Sequence, residues 1–371
     1  MIIKMILTNS FDPDPRVYKE AKTLVNNGHD VEILCWDREG KYIGKRYEEI
    51  DGIKIRRFFP KGEYGGGYKQ ILGYLAFIKK SKKYLKNKQV DAIHCHDFDG
   101  LFLGYMIKKN KNIKLVYDEH DLFYLYYKNR KGIINKLLYR ILIFAEKKLL
   151  KKVDNHIVVT SNMKKIYNDK RNICIINNAP LKNTFRNINK LTRKKIIIGF
   201  IGTVRYYDEL RVLTDVAASF DNIGIFIAGK GLKLNKLKQY ISEKKYNNVE
   251  FYGEYKLEQL EQLYSKIDIT YLVYPTVDST VSLPNKFFES IITETPIIAN
   301  EESEYGQIVK KELFGWGVDS NELKNSVKRI LEDINKNHHI LNYYKNNMRK
   351  VKNQYYWESN EEVLCQIYSE S

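Results

Sequence analysis

Residues 283–300 read LPNKFFESIITETPIIAN. At about 100° per residue, Phe287, Phe288, Ile291 and Ile292 fall on one side of a helix, and Lys286, Glu289 and Thr293 on the other. The run PIIAN that follows is short and aliphatic, as in a buried strand. A helix that feeds straight into such a strand is the repeating unit of a parallel sheet. Pro284 suits the first helical position, with Ser282 or Leu283 as cap. Lys286 in the first turn opposes the helix dipole. An anion on the free N–H groups of that turn would relieve the conflict. Glu289, one turn further on, would then accept from a diol, and phosphate beside a diol describes a nucleotide diphosphate. The plainer reading is an i,i+3 ion pair worth on the order of a few tenths of a kcal/mol.

The alternation extends in both directions. IIIGFIG (196–202), GIFIAG (224–229), VEFYG (249–253) and DITYLVY (268–274) read as further strands of the second half. In the first half, IIKMILT (2–8), VEILCW (31–36), IKIRRF (53–58), DAIHCH (91–96), KLVYD (114–118), HIVVT (156–160) and NICIIN (172–177) do the same. Residues 15–27, 68–86 and 99–110 carry helical spacing between them. Val17, Ala21, Leu24 and Val25 share a face there, and Gly28 ends it. The polar stretch NNAPLKNTFRNINKLTRKK (177–195) interrupts the pattern as a linker, and beyond 320 the chain reads as mostly helical. The expected fold is therefore α/β. Two doubly wound Rossmann-like domains, 1–185 and 186–345, are expected to face each other across a cleft, with helices of 346–371 returning to the first. Ligands bind such sheets at the carboxyl ends of the strands, so the helix opened by Pro284 is expected to aim its tip into that cleft.

A chain of 371 residues, 43% of them hydrophobic, can bury two cores. No run approaches the roughly 18 apolar residues of a membrane span. The N-terminus lacks a signal-peptide pattern and reads as a first strand. Four scattered cysteines (Cys35, Cys95, Cys174, Cys365) suit reduced thiols in the cytoplasm and argue against a structural zinc or a disulfide frame. The 63 Lys+Arg against 45 Asp+Glu give +18, which attracts polyanions, although a Lys/Asn/Ile/Tyr-rich composition accounts for part of it. Residues 128–152 hold nine Lys/Arg and one acid, with an apolar side of Ile134, Leu137, Leu138, Ile141, Leu142 and Leu149. Nearby, KKSKKYLKNK (79–88) adds six lysines. Such a helix is expected on the inner, anionic face of a membrane; the alternative is a core-packed helix with a solvated basic side. Nucleic acid is not an expected partner, since no helix-turn-helix, zinc-finger or aromatic RNA-binding pattern is present.

Three strand ends of the first half carry polar clusters. Asp12, Asp14 and Arg16 follow the first strand; His96, Asp97 and Asp99 close DAIHCH; and Glu119, His120 and Asp121 follow KLVYD. One such loop is usually a cap or turn. Three at one rim suit a hydroxyl-rich ligand such as a sugar. No pair has the spacing of a compact metal site, and neither a GxSxG elbow nor a GxxxxGK[ST] loop occurs. In the second half, Gly202 permits a tight turn after its strand and Arg205 follows it.

In combination, DPRVYKEAKTLVNNGHDVEILCWDR (14–38), DAIHCHDFDGL (91–101) and LVYDEHDLF (115–123) resemble the N-terminal domain of family-4 retaining glycosyltransferases with the GT-B fold. IGFIGTVRYYDEL (198–210), IFIAGKG (225–231), VEFYGEY (249–255) and the opening stretch resemble its donor domain, in the family's order. The resemblance implies transfer of a hexose-type sugar from a UDP- or GDP-sugar to a hydroxyl of a glycan or lipid-linked acceptor. Retention, no obligatory metal, no covalently bound cofactor and a role in cell-surface polysaccharide or glycolipid synthesis are implied with it. By that likeness His120 contacts the donor sugar, Arg205 steadies the departing diphosphate, and Glu289 binds the ribose. Ser282 and Leu283 fall where backbone N–H groups meet the diphosphate, Gly202 lies beside it, and Gly253, Glu254 and Tyr255 lie in the loop that meets the base. Asp12, Arg16, His96, Asp97 and Asp99 fall on the acceptor side. The chain departs from the family in having Val281 for the first glutamate of its motif and Asp208 near an expected lysine. Asp12–Arg16 also replace a glycine-rich loop. Lys286 is expected to supply the missing charge and so to act with His120 and Arg205. Front-face substitution assisted by the leaving group is the implied mechanism. A sugar-nucleotide epimerase of the same architecture, or an inactive homologue, is the rival reading.

Overall fold

The computed structural model describes residues 1–371 apart from 13, 63–69, 110, 129, 168–171, 186–187, 189, 192, 276–282 and 370–371, with Tyr126 described by its backbone alone. The chain divides into two units, Met1–Asn177 with Asn360–Ser371, and Asn178–Ser359.

The first unit runs β1 (Ile2–Leu7), α1 (Pro15–Asn26), β2 (Asp30–Trp36), β3 (Tyr47–Ile50), β4 (Ile53–Phe58), α2 (Ile71–Leu85), β5 (Ala92–His96) and α3 (Asp97–Lys108). It continues with β6 (Lys114–Glu119), α4 (Leu125–Lys128), α5 (Ile133–Leu150), β7 (Asn155–Val158), α6 (Ser161–Ile166) and β8 (Ile173–Ile175). Its sheet has the order β3-β4-β2-β1-β5-β6-β7-β8. Every pair is parallel except β3 with β4. Central strands are buried almost throughout, as parallel strands covered on both faces must be. On one face Phe77 and Ile78 of α2, Leu101 and Leu103 of α3, and Leu149 of α5 share a core with Ile93, Leu115 and Tyr117. Helix α1 starts where Pro15 fixes the first turn and the Asp14 carboxylate accepts from the N–H groups of Arg16 and Val17.

The second unit runs β9 (Ile196–Ile201), α7 (Asp208–Ala217), β10 (Ile223–Ala228), α8 (Leu234–Glu243), β11 (Val249–Gly253), α9 (Leu260–Ser265) and β12 (Ile269–Leu272). Then come α10 (Asn285–Ile292), β13 (Ile297–Asn300), α11 (Glu304–Lys311), β14 (Gly315–Val318), α12 (Leu323–Lys336) and α13 (His339–Val351); α14 (Glu358–Ser369), which follows, belongs from Asn360 to the first unit. Its six strands lie in the order β11-β10-β9-β12-β13-β14, all parallel.

The expected alternation is therefore present, with differences at particular places. Strands β3 and β14 carry no sequence signal: YEEI is polar because β3 is a half-exposed edge, and GWGV is interrupted by glycine. Pro284 is the cap of α10 and not its first residue. The units divide at Asn177, before the polar linker. Residues of α13 and the turn after it stay with the second unit, because Met348 and Tyr355 pack against Phe287, Phe288 and Phe314. From Asn360 onward the chain joins the first unit, where the Tyr368 hydroxyl lies 2.8 Å from His94 Nδ1.

Candidate active site

In the first unit β1, β5 and β6 are neighbours, so the loops after them share one rim. Asp118 on β6 is the hub. It is fully buried and accepts from Arg16 Nε (2.9 Å) and a terminal nitrogen of Arg16 (2.6 Å). His120 Nε2 lies 2.6 Å and His96 Nδ1 3.1 Å from the same carboxylate. Burial pushes the Asp118 carboxyl up, but Arg16 and the two imidazoles together hold it well below the usual range. Arg16 also donates to the Ile176 carbonyl (2.9 Å) and pairs with Glu20 (3.1 Å). Each of its three guanidinium nitrogens is bonded within the protein. Arg16 was expected on the acceptor side; its guanidinium is instead a buried strut between Asp118 and the Ile176 carbonyl. His96 is likewise buried, and burial lowers its pKa despite Asp118.

His120 and Asp97 are the accessible members, with side chains 20% and 41% exposed. His120 Nδ1 is 3.5 Å from the Asp97 carboxylate, whose other oxygen accepts the His120 backbone N–H at 3.2 Å. Burial works against the imidazolium, but Asp97 and Asp118 outweigh it and hold His120 at about 10. Burial raises Asp97 to about 6, with His120 pulling the other way. Asp97 has φ +59, a left-handed conformation that costs a non-glycine residue energy and is typical of functional turns. Asp99 is half-buried and bonds Thr8 and the Gly100 N–H. Asp12 stands apart, exposed and paired with Lys41 and Tyr42.

Glu20, His94, His96 and Asp118 offer donor atoms within 4.8 Å of one another, the group best placed among the described residues to hold a metal ion. Arg16, however, sits on both carboxylates and already supplies the positive charge there. The participation of Asp118 and His94 was legible from strand alternation, since each lies two residues before a histidine already singled out. Glu20 and Tyr368 had no such signal.

In the second unit the rim is built by glycines. A Cβ on Gly229 (φ +133) would lie 1.9 Å from the Gly202 carbonyl oxygen, and one on Gly231 2.2 Å from that of Val204. The loops after β9 and β10 thus run in backbone contact. The Gly229 N–H continues the chain by donating to Gly253 (2.6 Å) after β11. Gly202 faces the Lys286 stem, whose Cε would be 3.8 Å from a Cβ there. Lys286 Nζ pairs with both Glu289 oxygens at 3.0 and 3.1 Å and lies 5.9 Å from the Tyr255 ring centre. Burial opposes the ammonium, but Glu289 and Tyr255 leave the Lys286 pKa raised. Glu289 is buried and also accepts from the Tyr264 hydroxyl (3.1 Å). The plain i,i+3 pair is thus present, and Pro284, at the cap of α10, offers no side-chain acceptor to the N–H groups that open the helix.

Gly202, Gly253, Tyr255, Lys286 and Glu289 are therefore gathered at one rim. Leu283 packs on the core beside them, and Glu254 points outward to pair with Lys230. Arg205 is exposed and, among the described residues, its guanidinium has no hydrogen bond or ion pair. Asp208 is exposed at the start of α7, 3.6 Å from Arg211. Ser282 and Val281 lie outside the described residues.

Two α/β domains of Rossmann type, each with polar groups massed at the carboxyl ends of its strands, match the GT-B fold of solved glycosyltransferase structures. Residues 16–179 match the family model Glycosyltransferase Family 4, and residues 182–350 match Glycosyl transferases group 1. The chain is a family-4-like glycosyltransferase. Among solved structures, sucrose-phosphate synthase from Thermosynechococcus elongatus is similar over 100% of this chain and 98% of its own, with TM-score 0.77 and 16% identity. Anabaena HepE in complex with UDP is similar over 100% of both chains (TM-score 0.75, 14% identity). WaaG, a glycosyltransferase involved in lipopolysaccharide biosynthesis, is similar over 98% of this chain and 99% of its own (TM-score 0.68, 12% identity). At these identities the likeness is one of fold. No curated protein sequence matches the chain significantly.

Proposed function

We propose that the protein transfers a hexose-type sugar from a UDP-sugar to a hydroxyl of a glycan or lipid-linked acceptor, with retention and without a metal. The observation that carries this is the α10 start, where the helix N-terminus, Lys286 and the glycine-built loops converge. Leaving of a nucleotide diphosphate builds negative charge, which a cation beside a helix N-terminus stabilises. Lys286 supplies that charge in place of the lysine absent near Asp208, and Arg205 brings a second cation. Glu289 takes the ribose hydroxyls, exchanging part of its Lys286 pairing for them. Structures of HepE in complex with UDP and with UDP-glucose support uridine as the base; GDP is the other candidate.

In the first unit, His120 carries a proton below about pH 10 and offers a charged donor to a sugar hydroxyl. Asp97 beside it, poised near neutrality, accepts from an acceptor hydroxyl. With no carboxylate assigned as a covalent nucleophile, departure of the diphosphate assists attack on the same face of the sugar. Exposed apolar and lysine side chains on α5 fit an acceptor held at an anionic membrane, as in polysaccharide or glycolipid synthesis. The test is UDP-glucose turnover with and without a mixed glycan or polyprenyl-phosphate-sugar acceptor pool. Transfer that depends on acceptor is expected. Donor conversion with no acceptor present would favour an epimerase, and absence of nucleotide binding would reject both.

A further inference from the structure

We propose that α2 and α5 form a two-point anchor that seats the first unit on an anionic lipid surface. The two helices flank α3 on one face of the sheet and share a core with it. Each leaves apolar side chains uncovered from its first turn onward. On α5, Ile133 is 84%, Ile134 71% and Phe144 71% exposed, and Leu137 and Ile141 lie on the same side. On α2, Leu72 is 79% exposed, with Ile71 and Leu75 beside it. Side chains at such i, i+1, i+4 and i+8 spacing form one stripe, which a water-soluble helix normally buries.

The charges follow the same plan on both helices. Exposed Lys79, Lys80, Lys82 and Lys83 close α2, and exposed Lys147 and Lys148 close α5, followed by Lys151 and Lys152. Helix α2 has no acidic residue, and the single acid of α5, Glu146, is buried against the Tyr117 hydroxyl (3.2 Å). Two outward faces made only of apolar and cationic side chains complement acyl chains below phosphate headgroups. A groove of about 710 Å³ beside the last turns of α5, lined by Phe144, Leu150 and Ile166 with Lys147, Lys148 and Lys151, has the same mixture.

Parallel topology fixes the orientation. Helices of a βα unit begin at the carboxyl edge of the sheet, so both apolar starts lie at the edge that carries Asp97 and His120. Insertion of both starts tips that edge toward the lipid and the lysine-rich ends onto the headgroups. This deepens the membrane-acceptor reading and rests on it only for the acceptor's location.

Sedimentation of the full chain with phosphatidylcholine vesicles, with and without phosphatidylglycerol, tests it. Binding is expected only with the anionic lipid and is expected to weaken as salt rises. Leu72→Glu with Leu75→Glu, and separately Ile134→Glu with Ile141→Glu, should each weaken it by at least about tenfold. UDP binding by the same variants should be unchanged, which separates failure of the anchor from failure of the transferase reading. Normal vesicle binding by the α2 variant would overturn the two-point anchor, as would equal binding to neutral vesicles. So would a stable dimer, seen by analytical ultracentrifugation, that either variant dissociates.

Discussion

At the strand ends of the first domain, Arg16 and His96 are buried around the Asp118 carboxylate, while His120 and Asp97 beside them reach solvent. At the strand ends of the second domain the backbone makes the site. Glycines press two loops together, a helix opens on Pro284, whose side chain has no acceptor, and the cations lie at the surface or near it. The first arrangement fixes the position and proton of one imidazole through a buried network. The second keeps a helix opening at the rim and, among the described residues, one cation, Arg205, with no ion pair. Loss of a member should therefore damage the fold in the first domain and ligand binding or turnover in the second.

The largest effect is expected from Asp118→Ala, which leaves the buried Arg16 charge with Glu20 as its one remaining ion-pair partner among the described residues and frees both imidazoles. A loss of about 3–5 kcal/mol, seen as a lower urea midpoint, follows from breaking a buried pair. A midpoint like that of the wild type would break the contrast at its strongest point. Arg205→Ala should do the opposite, lowering kcat by roughly 10²–10³ with the urea midpoint unchanged. A stability loss there would show that Arg205 is structural after all.

His120 gives a smaller effect with a defined sign. Its folded pKa of about 10 lies above an unfolded value of about 6.5. Its stabilising contribution is thus complete below the unfolded value and lost as pH rises through about 10. Denaturation at pH 7 and above pH 10 should show that limb in the wild type, and a weaker one in His120→Gln. Identical pH dependence of the two would separate His120 from its carboxylates. Asp12→Ala should change stability by no more than about 0.5 kcal/mol, because Asp12 is exposed and its partners Lys41 and Tyr42 lie at the surface.

Strand–helix alternation was legible because parallel strands are written as unbroken aliphatic runs, as in IGIFIA of β10, which is buried throughout. Edge strand β3 was not, since one side of YEEI faces water. The rim residues were found by their position after strands. Which of them would be spent on one another was not readable. Arg16 meets Asp118 across 102 positions, and no local spacing announces such a pair. Lys286 was readable in both ways, and the structure shows why: it neutralises Glu289 and still lies beside Gly202 and Tyr255.

The most direct measurement is a calorimetric titration of UDP into the wild type and into a Lys286→Ala, Glu289→Gln double variant, with unfolding of both followed in parallel. The wild type is expected to bind and the double variant to bind at least about tenfold more weakly, a difference of roughly 1.4 kcal/mol, with both folded. Equal affinity in the two proteins would contradict a nucleotide site at the opening of α10.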